Sequence, residues 1–433
     1  MTAVASPSTT ARLLAGLERP GYRADLRSHL AVHGPLPIPG RHDRGWSARL
    51  IEALEASGLT GRGGGGFPTG AKLAFMAGQR RRPVVVVNAT EGEPASHKDD
   101  VLASSAPHLV LDGAELVARA LGATAIRVAV ARDRPHSVAA YERALVERRS
   151  GGLATVADVA VVTPPARYIT GEESALAAWL DGADARPTFR VGRPAVVKVA
   201  GRPALVDNAE TLAHVALIGR HGPAWFREVG RPDAPGTMLV TVTGAVAAPG
   251  VFEVPLGTAL STILRSADAA PVAGVLVGGY AGAWVPADRV GTAYAPGPLA
   301  EVGAIVGPGV VVALDQAGCP LAETARVARW MAGEGAGQCG PCVFGLPAVA
   351  DDLVELASGR ASRAVADRLW NRLGLVEGRG ACRHPDGVAR MARSALTAFP
   401  EHLDRHLRHG PCPGARRPSV MTLPERDGWE PWR

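Results

Sequence analysis

A chain of 433 residues that is 47% apolar and 20% charged has the apolar mass for several cores, and its length predicts two to four domains. A net charge of +6 with 5% aromatic residues excludes the basic, aromatic-studded stripe of a nucleic-acid binder, and no window approaches the ~20 unbroken apolar residues of a membrane span. Residues 1–10 carry no basic stretch leading into an apolar one, so no secretory signal is expected. The expected compartment is the cytoplasm or the periphery of a membrane complex facing it.

In chain order, residues 1–58 read as a Pro/Gly-punctuated lead-in segment ending in an amphipathic helix over 47–57. A glycine run follows, Gly61-Arg62-Gly63-Gly64-Gly65-Gly66, and then a short helix over 71–76 and a β-branched strand over 84–87. Helices over 108–121 and 136–148 then alternate with strands over 125–130 and 159–162. Val-rich runs separated by helices indicate a parallel sheet covered on both faces, and residues 59–232 form the expected α/β domain. Over 235–315 the order is strand, hairpin, strand, helix, strand (238–242, 251–254, 259–265, 275–277), that of a β-grasp module. Residues 318–412 read as a helical bundle with segments over 321–331, 346–357, 362–373 and 387–407, followed by a tail over 413–433.

Gly61, Gly63 and Gly66 satisfy G-x-G-x-x-G, but a dinucleotide fingerprint needs the strand before and the helix after, and here the order is reversed. What remains is a backbone of bare N–H groups leading into a helix, suited to a phosphate or a flat ring. The bland alternative is a glycine turn beside a surface lysine, although five glycines in six residues carry an entropy cost that only close approach repays. Lys72 lies one turn into the helix, with Phe75 on the same face at i+3.

Of 47 basic residues only Lys72, Lys98 and Lys198 are lysine, and only Asn88, Asn208 and Asn371 are asparagine. Against that background a retained Lys or Asn marks a position that needs its chemistry. Asn88, Glu91 and Glu93 follow the first strand, where ligands of open α/β sheets bind; a plain polar loop is the alternative for Glu93. Thr170 and Glu173 have capping-box spacing, a sufficient structural explanation for Glu173.

Taken together the chain resembles the family of flavoprotein NADH-binding subunits of respiratory complex I and of related NAD-linked hydrogenases and formate dehydrogenases, with the look of a diverged paralogue. The residues carrying the resemblance are the run from Gly61 to Lys72, Asn88 to Pro94 with Lys98-Asp99, Tyr168-Ile169-Thr170-Gly171-Glu172-Glu173, Asp207-Asn208-Ala209-Glu210-Thr211, Gln338-Cys339-Gly340-Pro341-Cys342 and the distant Cys382. The resemblance implies a Rossmann-like FMN-binding domain, a β-grasp domain and a helical iron–sulfur domain. It implies FMN held by Gly61, Gly63, Gly64, Lys72, Asn88, Glu91, Gly171 and Asn208, with Arg62, Gly66, Glu172 and Asp207 in the same cofactor-binding set. Phe67 and Phe75 would stack on the adenine of NADH, and Glu93 and Glu173 would meet its ribose and pyrophosphate.

The implied reaction is hydride transfer from NADH to FMN without a protein acid or base, then single electrons to a 4Fe-4S cluster on Cys339, Cys342 and Cys382 and on to a ferredoxin-like or complex I-type partner. Four departures stand out. The family's aspartate after Asn-Ala is Thr90, the first of two asparagines is Asp207, a third adenine-clamp aromatic is Arg193, and the first cluster cysteine is Ala336. Cys412, after the last helix, is a candidate replacement ligand, and Cys319 reads as a buried structural thiol. His402, His406 and His409 share a helix face and read as a solvated, dipole-complementing run, with metal binding as the alternative. The second functional reading is a protein that has lost its chemistry and serves assembly or electron relay.

Overall fold

The computed structural model describes residues 11–38, 43, 45–153, 155–189, 196–359, 361–424 and 431–433. Arg193 lies outside the described residues, as do residues 1–10. The elements in order are α1 (Leu26–His33), α2 (Trp46–Ser57), α3 (Thr69–Ala77), β1 (Val84–Ala89), α4 (Lys98–Ser105), α5 (Pro107–Leu121), β2 (Ala125–Val130), α6 (Pro135–Ser150) and β3 (Asp158–Val162). A single 3₁₀ turn, Tyr168–Gly171, leads into α7 (Glu173–Leu180), β4 (Lys198–Val199), β5 (Arg202–Asn208) and α8 (Ala209–Arg227).

These build a sheet of order β3-β2-β1-β5-β4, parallel except for its short edge strand β4. The β-branched alternation of β1 divides the packing. Val85 and Val87 face α5 and α8 in the larger core, while Val84 and Val86 face Leu176 and Ala177 of α7. Helices α5 and α8 approach so closely that a Cβ on Gly113 would come 1.8 Å from the Leu212 carbonyl oxygen. Neither α4 nor α8 was expected. The lead-in segment is anchored as well: the backbone N–H groups of Arg12, Leu13 and Leu14 all donate to the buried Glu253 carboxylate.

A two-residue ribbon, β6 (Gly230–Arg231) with β7 (Ala234–Pro235), leads to a second sheet. Its elements are β8 (Thr237–Gly244), β9 (Gly250–Pro255), α9 (Leu260–Ser266), β10 (Val272–Val277), β11 (Ala283–Pro286), α10 (Pro296–Glu301) and β12 (Val310–Asp315). The sheet order is β11-β10-β12-β8-β9, with the β12–β8 pair parallel and the other pairs antiparallel, as in a β-grasp fold.

The helical region comprises α11 (Pro320–Gly333), a π-helical turn Pro341–Gly345, α12 (Leu346–Ala357), α13 (Arg363–Val376), α14 (His384–Ala398) and α15 (Pro400–His409). The single helix expected over 387–407 is two helices. Phe399 breaks helical geometry (φ −130°, ψ 58°), and Pro400, which has no N–H to donate, opens α15. No helix of the described residues is long and apolar enough to cross a membrane.

Candidate functional site

A cleft of about 840 Å³ opens between the three regions. The glycine loop and α3, the ends of β1 and β5, the Tyr168–Gly171 turn, the 304–308 turn and the start of α14 line it. The loop is set by geometry that needs glycine: Gly64 and Gly66 have φ of +102° and +60°. A Cβ on Gly63 would stand 3.2 Å from Asn208 Cβ, so the loop lies directly over the end of β5. Gly65 has no atom within 4 Å of its missing side chain, which leaves its backbone open to a ligand.

The floor is built by the rare residues. Asn88 and Asn208 are register partners at the ends of β1 and β5. Asn208 caps α8, its Oδ1 accepting from the Glu210 N–H (3.1 Å) and from Lys98 Nζ (2.7 Å), and its Nδ2 donates to Asp99 Oδ2 (2.8 Å) and to the Asn88 carbonyl (3.1 Å). The Lys98 ammonium is buried between Asp99 (2.8 Å) and Glu210 (3.2 Å). Burial opposes that charge, but the two carboxylates hold its pKa above the ordinary lysine value. Sequence reasoning assigned no role to Lys98, Asp99 or Glu210; the scarcity of lysine was the signal that pointed there.

Asn88 Nδ2 donates to the Gly171 carbonyl (2.7 Å), which ties β1 to the turn before α7. Thr90 turns its hydroxyl back to donate to Asn88 Oδ1 (2.8 Å), and a Cβ on Gly171 would meet Thr90 Oγ1 at 2.6 Å. Lys72 donates to the Val206 carbonyl (2.5 Å) and faces Asp207 (3.3 Å) and Glu173 (3.5 Å). Burial works against its charge, and Asp207 and Glu173 raise its pKa in spite of it.

Glu91 sits in left-handed backbone (φ 45°) with its carboxylate accepting from the Asp99 N–H, the Ser96 hydroxyl and Arg134. Glu93 Oε2 accepts from the Tyr280 N–H (2.9 Å) and the Tyr168 hydroxyl (3.3 Å). Burial pushes both glutamates up to about 7. Arg62 is turned inward, its backbone N–H donating to Thr211 Oγ1 and its guanidinium to Thr60 and the Pro235 carbonyl.

The expected capping box is not formed. Because α7 begins at Glu173, its cap is Glu172, whose carboxylate accepts from the Ser174 and Ala175 N–H groups, while Thr170 is buried in the preceding 3₁₀ turn with Oγ1 unpartnered. Phe67 stands at the cleft's lip, 60% exposed; Phe75, also exposed, is not among the lining residues.

Cys382 lines the same cleft. Cys339 and Cys382 face Cys342, whose thiol burial pushes up to about 12 with their help; burial likewise raises Cys382 to about 11. Ala336 is 5% exposed and packs with Ile169, Ala185 and Trp432 beside Cys382. Cys412 does not join this trio: its Sγ lies within 4.8 Å of Cys319 Sγ and a His402 ring nitrogen. Nor is the histidine run solvated throughout, because His406 is 1% exposed with Nδ1 on the Leu356 carbonyl.

Residues 54–217 match the model of the Nuo51 FMN-binding domain, and residues 322–406 match that of the NADH-ubiquinone oxidoreductase-F iron-sulfur binding region. The chain is 31% identical over 395 residues to the NADH-quinone oxidoreductase F subunit of Mycobacterium tuberculosis (strain ATCC 25618 / H37Rv), covering 86% of this chain and 88% of that one. The chain belongs to the family of NADH-quinone oxidoreductase F subunits.

The NADH-quinone oxidoreductase F 2 subunit of Rhizobium meliloti (strain 1021) is 29% identical over 407 residues, 91% of this chain and 94% of that one. The crystal structure of an NAD+-reducing [NiFe]-hydrogenase in the air-oxidized state superposes with a TM-score of 0.79 at 30% identity, covering 94% of this chain and 68% of that chain. In the H2-reduced state the TM-score is 0.74 at 31% identity over 87% of this chain, which there spans 64% of the hydrogenase chain.

The cofactors of this family can be tested against these residues. For FMN the fit is good: a glycine cradle with open backbone, a lysine beside it, and a buried Asp207 Oδ2 without a hydrogen-bond partner on the cleft wall. For a 4Fe-4S cluster, Cys339, Cys342 and Cys382 supply three of the four thiolates such a cluster ordinarily takes, and the family's remaining position is Ala336.

Proposed function

We propose that this chain is an NADH-oxidising flavoprotein component of a cytoplasmic redox complex, delivering electrons to an iron–sulfur centre and onward to a ferredoxin-like or complex I-type partner. The observation that carries this reading is the placement of Cys382 on the wall of the cleft that the glycine loop and the paired asparagines enclose. FMN, when bound, accepts a hydride from NADH and releases electrons singly, so the protein needs no acid or base of its own at the reacting atoms.

The chain's own part is orientation. The backbone of Gly61, Gly63, Gly64 and Gly66 would hold the cofactor, with Lys72 and Gly171 at its sides. Asn208 has both amide N–H groups and its oxygen engaged by protein, so it fixes the floor, whereas Asn88 Nδ2 gives one N–H to the Gly171 carbonyl and keeps the other for the cofactor. Phe67 would take the adenine, and Glu93 and Glu173 the ribose and pyrophosphate side. Val343 and Phe344 (77% exposed) share the π-helical turn with Cys342 and give an electron-accepting partner an apolar foothold beside the cysteines.

The alternative, a protein kept for assembly or relay, is favoured by Ala336 and Thr90. Anaerobic addition of NADH to the purified chain separates them. Release of FMN from yellow protein that bleaches with NADH supports the proposal; colourless protein with no NADH response supports the alternative.

A further inference from the structure

We propose a second metal centre, a largely buried zinc-type divalent cation site held by Cys319, His402 and Cys412, with His406 available to close the shell. The ligand atoms of Cys319, His402 and Cys412 all lie within 4.8 Å of one another. Zinc bonds of about 2.3 Å to sulfur and 2.0–2.1 Å to nitrogen at tetrahedral angles place ligand atoms about 3.6–3.8 Å apart, so the set needs only a small contraction. His406 Nε2 is already 3.5 Å from Cys319 Sγ.

The supporting shell has the form metal sites use. His406 Nδ1 donates to the Leu356 carbonyl at 3.0 Å, which fixes the tautomer, and Nε2 accepts from the Cys412 N–H (3.2 Å), a hydrogen bond that the cation would replace where His406 takes the fourth position. His402 Nδ1 is buried with no hydrogen-bond partner. Cys319 is the cap of α11, and its Sγ accepts from the Ala322 N–H at 3.4 Å, which fixes the sulfur at the start of that helix.

The Cys412 segment is held firmly there. A Cβ on Gly414 would come 2.3 Å from the Ala317 carbonyl oxygen, and one on Gly359 would come 2.3 Å from Pro411 N. On binding, the cation forms bonds to both sulfurs and the two thiol protons leave to solvent. With Cys319, Cys412 and His406 buried and His402 half-buried, four protein ligands would make this a structural site, one that clamps the start of α11 to the end of α15 and to the segment after it. A Cys319–Cys412 disulfide is the competing chemistry, but it leaves unexplained the His402 ring beside the sulfurs with its buried Nδ1 unpartnered.

The test is elemental analysis of the full chain purified under reducing conditions, with zinc and iron measured together. A single zinc per chain is expected, lost in Cys412→Ser and in His402→Gln but retained in Cys382→Ser, which lowers iron instead. X-ray absorption at the zinc edge of the unaltered chain should show mixed sulfur and nitrogen coordination, a measurement that needs no variant to fold. Flavin bleaching by NADH should be unchanged in Cys412→Ser, so failure here and failure of the flavin reading are distinguishable. No zinc even after equilibration with Zn2+ under reductant, zinc that follows Cys382 rather than Cys412, all-sulfur coordination, or a Cys319–Cys412 disulfide in mass spectra of protein that takes up no metal would each overturn the proposal.

Discussion

In the glycine-loop half of the cleft, three of the chain's six lysines and asparagines (Lys98, Asn88 and Asn208) meet in one interlocked network, with Lys72 on the same cleft wall. In the cysteine half, the candidate ligands come from separate turns: Cys339 before the π-helical turn, Cys342 within it, and Cys382 just before α14. The difference lies in coupling. A change to one network member leaves a partner buried and unpaired, whereas Ala336 shows how a corner of the other half is filled by ordinary packing against Ile169 and Trp432. The interlocked floor therefore resists single changes, whereas the cysteine side can lose one candidate ligand without unpairing the others.

The most severe way to break the contrast is Lys98→Met. It removes the ammonium from between Asp99 and Glu210, and uncompensated buried charge of this kind costs about 3–5 kcal/mol. Urea unfolding should show that loss, and the purified variant should retain little FMN. A variant with unaltered stability and full flavin content would show that the network is not interlocked.

Next in size is a pH effect on the same floor. Burial raises Glu93 to about 7, from an ordinary value of 4.5, so the folded chain holds this proton more tightly than the unfolded one. Stability is then fully present below pH 4.5 and declines as pH rises through 7, by about 2–4 kcal/mol in all. Glu93→Gln keeps an acceptor for the Tyr280 N–H and does not titrate. Its stability relative to the parent chain should therefore increase between pH 5 and pH 8, as measured by urea midpoints; a constant difference would place the Glu93 carboxylate in a wetter site than its burial indicates.

What the sequence made legible follows this division. Strands β1, β2 and β3 and helices α5 and α6 were readable because β-branched runs and apolar periodicity are local signals. The glycine loop and the two asparagines stood out by composition. Helix α4 was not readable, since its buried face carries Lys98 and Asp99, charges satisfied by each other and by Asn208 and Glu210 from a distant segment. Helix α8 starts directly from β5 without a turn residue and is interrupted by Gly222 (φ 82°) and Pro223, so no clean apolar stripe announces it. The burial of His406 depends on α12 supplying the Leu356 carbonyl, a tertiary fact with no trace in a run of His and Arg.

A milder probe of the flavin half is Gly171→Ala. The added Cβ meets Thr90 Oγ1 at 2.6 Å, and overpacking of this kind costs about 1–3 kcal/mol. Because Thr90 stands where the family has an aspartate, the double variant Gly171→Ala/Thr90→Ala reports on that departure. Removing the hydroxyl should recover most of the stability and FMN retention lost in the single variant. If it recovers neither, the strain passes instead through the Asn88–Gly171 hydrogen bond.

The smallest change in stability, under about 1 kcal/mol, is expected from Ala336→Cys, because a single sulfur is added at a site where the Cys382 side chain already packs beside the neighbouring apolar cluster. Its readout is iron per chain and the low-temperature paramagnetic resonance of the reduced protein. If the cysteine half was altered one corner at a time, the other three corners are intact, and restoring this thiolate should raise iron occupancy without altering flavin content. Unchanged iron would mean that the departure at Ala336 was accompanied by rearrangement of Cys339, Cys342 or Cys382. That half would then be as tightly coupled as the glycine-loop half, and the contrast between them would fall.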